Sequence, residues 1–150
     1  MTSPGIAELK RSLEGHVFPG GEFVVEDYER WLSHDAMQAA PLPEGVLHPV
    51  WILLGALRGM GVTLDELIEL GGSSPDDGVV FGETDYEQHA PLRTGVTYRV
   101  SGGVKSVTRR AGKQGGVFDV LVVELRIDEA GGAPAAVSRQ SFIFFRDRGS

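Results

Sequence analysis

Apolar positions change their spacing along this chain, and the change divides it in two. From Val79 onward, apolar and polar residues alternate, the period of a half-buried strand. Tyr98, Val100 and Val104 interleave with Thr97, Arg99, Ser101 and Lys105. Leu121, Val123, Leu125 and Ile127 fall on one face, with Val120, Val122, Glu124 and Arg126 on the other. A final strand is predicted over Val137 to Phe145. Glycine-bearing turns at 93–97, 111–116 and 129–133 separate the runs and predict an antiparallel meander. Gly102-Gly103 inside a strand predicts a bulge or a strong bend.

Ahead of the strands the period is helical. Glu22 to Val25 reads as a brief strand and Glu26 to Ala39 as a helix, with Tyr28, Leu32 and Ala36 on one face. Pro41 and Pro43 are expected to end that helix. The run from His48 to Met60 differs in kind. Pro49 suits a first helical turn, and Gly59 and Gly61 suit the exit. Arg58 is the only charge between them, so this helix is predicted to be buried on every side. Thr63, with Glu66 three residues later, predicts a capping box, and Gly71-Gly72 a stop. One apolar helix before four long strands, with a short strand ahead of it, predicts an α+β hot-dog fold. In that arrangement a curved antiparallel sheet wraps one long central helix. An ordinary α+β sandwich is the alternative.

At 150 residues, without a repeat or linker, the chain reads as one domain over 1–150. Cysteine is absent, which excludes a disulfide framework, a thiolate nucleophile and Cys-ligated zinc; neither metal nor cofactor is expected. A net charge of -7 argues against a nucleic-acid partner, because phosphates need clustered Lys and Arg. Val46 to Val62, the longest apolar stretch, is too short for a membrane span, and the opening residues lack a signal-peptide pattern. A cytoplasmic location is expected.

Several pieces, in order, resemble the MaoC-like hydratases and dehydratases, a hot-dog family. They are Phe81-Gly82-Glu83, Ala90-Pro91-Leu92-Arg93-Thr94-Gly95, Arg109-Arg110 and Gly116-Val117-Phe118-Asp119, preceded by Gly15-His16-Val17-Phe18-Pro19. The likeness is closest to the N-terminal, non-catalytic type of domain. It implies (R)-specific hydration of 2-enoyl thioesters, or the reverse dehydration, on coenzyme A or acyl carrier protein. It further implies that an Asp and a His, in a segment reading Asp-x-Asn-Pro-x-His, hold the reacting water. A backbone N–H at a His-Gly helix start steadies the thioester oxygen.

This chain departs from both requirements. It contains no Asn, and at the matching place His34 and Asp35 are adjacent, about 100° apart on a helix. The helix opens His48-Pro49, and proline has no N–H. The expectation is a non-catalytic half paired with a catalytic hot-dog subunit, in a homo- or hetero-oligomer. A self-sufficient enzyme using His34, Asp35 or His48, a thioesterase, and a plain binding protein are the alternatives. Against the thioesterase, Val46 to Val62 holds no acid.

Substrate-binding candidates are Trp51, Glu83, Arg109, Arg110 and Lys113. With Lys105, the last three form a basic run suited to a carrier's phosphates. Each has a plainer reading: Trp51 as core with Phe142, Phe144 and Phe145, Glu83 as an exposed strand carboxylate, the basic run as a solvated hairpin. His34, Asp35 and His48 can equally be a polar helix face and a cap, and Glu87 and His89 a solvated turn.

Overall fold

A computed structural model describes residues 5–113 and 116–146. Among the described residues four α-helices, α1 (Ile6–Leu13), α2 (Asp27–Met37), α3 (Val50–Gly59) and α4 (Leu64–Leu70), accompany five strands. The strands are β1 (Gly21–Phe23), β2 (Val80–Gln88), β3 (Tyr98–Ala111), β4 (Val117–Glu129) and β5 (Pro134–Phe145). They form one antiparallel sheet in the order β1-β3-β4-β5-β2. The meander holds for β3, β4 and β5. It fails for β2, which crosses the sheet to pair with β5 at the far edge. Gln114 and Gly115 of the turn at 111–116 lie outside the described residues.

Alternation sets the core. Leu121, Val123, Leu125 and Ile127 of β4 are buried, as are Tyr98, Val100, Val104 and Val107 of β3 and Phe142 and Phe144 of β5. Phe145 falls on the other side of the pleat and is exposed. α3 packs against β1, β3, β4 and β5. Its buried face carries Trp51, Ile52, Gly55, Ala56 and Gly59. Gly59, expected as the exit, is the last helical residue, and with Gly55 it lets the helix approach the sheet closely. A Cβ on Gly55 would lie 2.4 Å from the Phe23 ring, and one on Gly59 2.5 Å from Val100 Cγ2. The helix is not covered on every side: Leu54 is 40% exposed and Arg58 is exposed on the face away from the sheet. On that side Arg58 reaches α2 through Glu29 at 2.7 Å.

Two other expectations change. α2 ends at Met37 rather than at the prolines, because Gln38 turns left-handed (φ 50°) and donates its N–H to the Asp35 and His34 carbonyls. Its Tyr28-Leu32-Ala36 face is exposed instead of packed. The bulge in β3 falls between Val104 and Ser106, not at Gly102-Gly103, where pairing with β4 is continuous. The glycines serve another purpose. A Cβ on Gly103 would sit 1.9 Å from the His16 carbonyl oxygen. Only a bare backbone lets residues 15–18 lie along β3, where Val17 bridges Gly103 and the Phe18 N–H donates to the Gly102 carbonyl. Glu14 extends that cover by accepting the Val107 N–H at 3.2 Å. The β3 side of the sheet is thereby closed, whereas β2 is exposed along its whole length. The α4 capping box of Thr63 and Glu66 forms as expected. No helix among the described residues is long and apolar enough to cross a membrane.

Candidate functional site

The last turn of α2 and the first turn of α3 are tied together by side chains. Trp51 Nε1 donates to Ser33 Oγ at 3.0 Å, and Arg30 Nε donates to the Val46 carbonyl at 2.9 Å. Between these ties His34 and His48 meet edge to face, with ring centroids 6.1 Å apart. The His48 N–H donates to His34 Nε2 at 3.1 Å, and the Val50 N–H donates to His48 Nδ1 at 3.0 Å. The ordinary helical pattern then takes over, with the Trp51 N–H on the His48 carbonyl and the Ile52 N–H on that of Pro49.

The chemical consequence follows from counting donors. Pro49 has no N–H. The N–H groups of His48, Val50, Trp51 and Ile52 all have internal acceptors. An oxyanion hole needs donors directed at a place where a ligand oxygen can sit. The start of α3 directs its donors inward, at its own side chains and carbonyls. His34 is likewise engaged, because an imidazole accepting at Nε2 carries its proton on Nδ1. Burial, then the neighbouring Arg30 and His48, holds its pKa below the usual imidazole value, so the neutral acceptor form is favoured.

Of the sequence candidates, the structure brings together His34, His48 and Trp51. Trp51 is only 4% exposed and belongs to the helix junction, with Arg58 5.1 Å over its ring. Asp35 is exposed, and with His34 it lines an open cleft of about 470 Å³ walled by Arg30, Trp31 and Gln38. Glu83 lies on the exposed β2 edge, where its N–H donates to Ser141 Oγ at 2.8 Å and its carbonyl accepts from the same hydroxyl. His89 and Glu87 are half-exposed, 3.9 Å apart.

The basic run does not act as one patch. Lys105 pairs with Glu124 at 3.3 Å, and Arg109 places Nε and Nη2 2.8 and 3.0 Å from the two oxygens of Asp119. Arg110 and Lys113 are exposed. Sequence reasoning did not single out Asp119 itself, which is fully buried and also receives Arg146 Nε at 2.8 Å. Arg146 continues to Ser73 Oγ and the Gly71 carbonyl, so this cluster fastens the end of β5 to the exit of α4. Burial alone would raise the Asp119 pKa; hydrogen bonds from Arg109 and Arg146 outweigh it, and the net direction is down. A signal was present, since Asp119 shares its pleat parity with Leu121 and Val123 and a lone acid on an apolar face needs a partner. Among the described residues no group of three His, Asp or Glu is placed to hold a metal ion.

An antiparallel sheet laid against one apolar helix defines a hot-dog protein, and the solved structures agree. The chain is similar to the HadBC (3R-hydroxyacyl-ACP dehydratase) complex of Mycobacterium tuberculosis, with a TM-score of 0.66 and 14% identity over 87% of this chain and 96% of that one. It is similar to the ChsH1-ChsH2 complex of Mycobacterium tuberculosis, with a TM-score of 0.66 and 18% identity over 97% and 91%. A MaoC-like dehydratase matches with a TM-score of 0.70 and 14% identity, over 91% of this chain but 43% of that longer one. No family model and no curated protein matches the sequence. The chain has the hot-dog fold that these structures share.

Proposed function

We propose that this chain is the non-catalytic subunit of an acyl-thioester hydratase or dehydratase, completed by a second hot-dog subunit that supplies the acid/base pair. The substrates are 2-enoyl or 3-hydroxyacyl groups on coenzyme A or acyl carrier protein, and the setting is cytoplasmic. The observation that carries this reading is the closed start of α3, where Pro49 offers no N–H and those of His48 and Val50 are held by imidazoles. Adding water across an enoyl thioester puts charge on the carbonyl oxygen, and removing one such donor elsewhere costs about 3–4 kcal/mol of barrier. A chain that directs these donors inward is suited to support a reaction rather than perform it. Two of the similar structures are complexes, one of them a 3R-hydroxyacyl-ACP dehydratase, which supports pairing with a second hot-dog chain. Arg110 and Lys113, exposed at the end of β3, are positioned to meet a carrier's phosphates, whereas Arg109 is held by Asp119.

The test is crotonyl-CoA hydration by the purified chain, followed through loss of the enoyl-thioester absorbance. No turnover is expected from the chain alone, and turnover is expected once a catalytic hot-dog subunit is added. Full-enzyme rates from the chain alone would overturn the assignment. A self-sufficient enzyme is the second reading, favoured by the cleft that His34 and Asp35 share. It requires an active preparation that loses turnover in His34→Ala or Asp35→Ala. Release of free thiol from acyl-CoA, without hydration, would point to a thioesterase.

A further inference from the structure

On the core side of the sheet, β5 carries two polar residues among apolar ones. Ser138 and Gln140 share their pleat face with Phe142 and Phe144, and their partners on β4 are Leu125 and Val123. Both are buried, Gln140 to 1% exposure. Gln140 Nε2 donates to Ser138 Oγ at 2.8 Å, which uses one end of the amide. The other end, Oε1, is buried and has no hydrogen-bond partner among the described residues. An amide oxygen buried in this way destabilises the fold that holds it, and a methionine of similar length would fill the place without that loss.

The same face changes character one strand further out. Thr84 pairs with Gln140 and Tyr86 with Ser138, so both lie on the core side, yet β2 is exposed along its whole length. Phe81 joins them there, about half exposed, with its ring 4.9 Å from that of Phe142. Gln140 thus sits one strand spacing, about 4.8 Å, from an open strip of Phe81, Thr84 and Tyr86. An apolar chain can lie along the aromatic rings while a donor on that chain reaches the amide oxygen. Neither the strand neighbours Thr84, Tyr86, Val123 and Ser138 nor the buried face of α3 offers a carboxylate or an imidazole. An ammonium would be buried there without a counter-charge, so the donor that fits is uncharged, and on an acyl chain that is a hydroxyl. For the same reason the hydroxyl is held and not expelled as water, because no general acid stands beside it.

We propose that Gln140 and Ser138 form a specificity subsite for acyl chains that carry a hydroxyl group away from the reacting carbons, with Phe81 and Tyr86 flanking the chain. The subsite deepens the reading above and rests on it for the acyl chain as ligand. The two fail separately: no turnover with an added catalytic subunit would sink that reading and leave the affinity of Gln140 for an alcohol unchanged.

The test follows the side-chain amide resonances of Gln140 in the full chain during titration with n-hexanol and with hexyl methyl ether, which keeps the oxygen but lacks the donor. Hexanol is expected to shift these resonances and to bind about fivefold more tightly than the ether. The Ser138→Ala/Gln140→Met variant removes both polar partners, and is followed through the ring resonances of Tyr86. It is expected to melt no lower than wild type, because apolar groups of similar shape replace a half-satisfied pair, and to bind the two probes equally. Equal affinities in wild type, hexanol binding that leaves Gln140 unmoved, or a variant that melts well below wild type overturns the proposal. A Gln140 shift produced by N-acetylcysteamine and not by hexanol also overturns it, by assigning the donor to the carrier arm.

Discussion

The backbone N–H of His48 donates to Nε2 of His34 across 3.1 Å, so that the end of one helix caps the beginning of the next. The bond makes a neutral His34 a structural requirement. It also occupies one of the backbone N–H groups at the start of α3.

The junction should therefore respond to pH. The folded-state pKa of His34 lies below its ordinary value of 6.5, so the stability it contributes is present above that value and is lost as pH falls through the lowered one. Protonation places a hydrogen on Nε2 and displaces the His48 N–H. Melting temperatures at pH 7 and pH 5 should differ more for wild type than for His34→Gln. Equal losses in the two proteins would remove His34 from the account.

Pro49→Gly restores one N–H to the start of α3 without releasing that of Val50, which His48 Nδ1 still holds. The variant should gain no hydratase activity towards crotonyl-CoA. It should lose about 1 kcal/mol of stability, because the unfolded chain regains freedom. Turnover appearing in this single variant would show that the proline alone had silenced the site.

Asp119→Asn keeps the shape of a buried side chain while removing the charge that two guanidinium groups face at 2.8 Å. Breaking one partner of a buried ion pair costs about 3–5 kcal/mol. In a chain of this size that is roughly a 10 °C drop in melting temperature. Because Arg146 also holds Gly71 and Ser73, hydrogen exchange should rise at the α4 exit before it rises in β4. A loss below about 1 kcal/mol would mean that the cluster adds little.

Gly55→Ala sets two effects against each other. Alanine improves helix propensity by about 1 kcal/mol. Its methyl would meet the Phe23 ring at 2.4 Å, and that ring is buried and stacked on Tyr98 at 5.3 Å. Overpacking of this kind costs about 1–3 kcal/mol, so urea unfolding should show a net loss. Gly131→Ala, with nothing within 4 Å of the new carbon, is the control and should be near neutral.

Much of the fold was legible because periodicity reports burial directly. Leu121 to Ile127 alternate because one face of β4 lies on the core, and the Thr63–Glu66 box is a purely local contact. α1 was not anticipated: its buried Leu9 and Leu13 are one turn apart in a short, otherwise polar segment, too little for a periodic signal. The exposed face of α2 shows the converse, since i, i+4 spacing marks a shared face without saying what covers it.

By itself the sequence determined that one apolar helix precedes four alternating strands, that Pro49 withholds a donor, and that no Asn is present for the expected catalytic segment. These are properties of residue type and local spacing. Only the tertiary structure decided that β2 crosses to the far edge, that Asp119 lies between Arg109 and Arg146, and that His34 receives the N–H of His48. Those facts join residues from 10 to 63 positions apart. Which strands and side chains meet over such separations depends on how the whole core closes, and no local pattern encodes it.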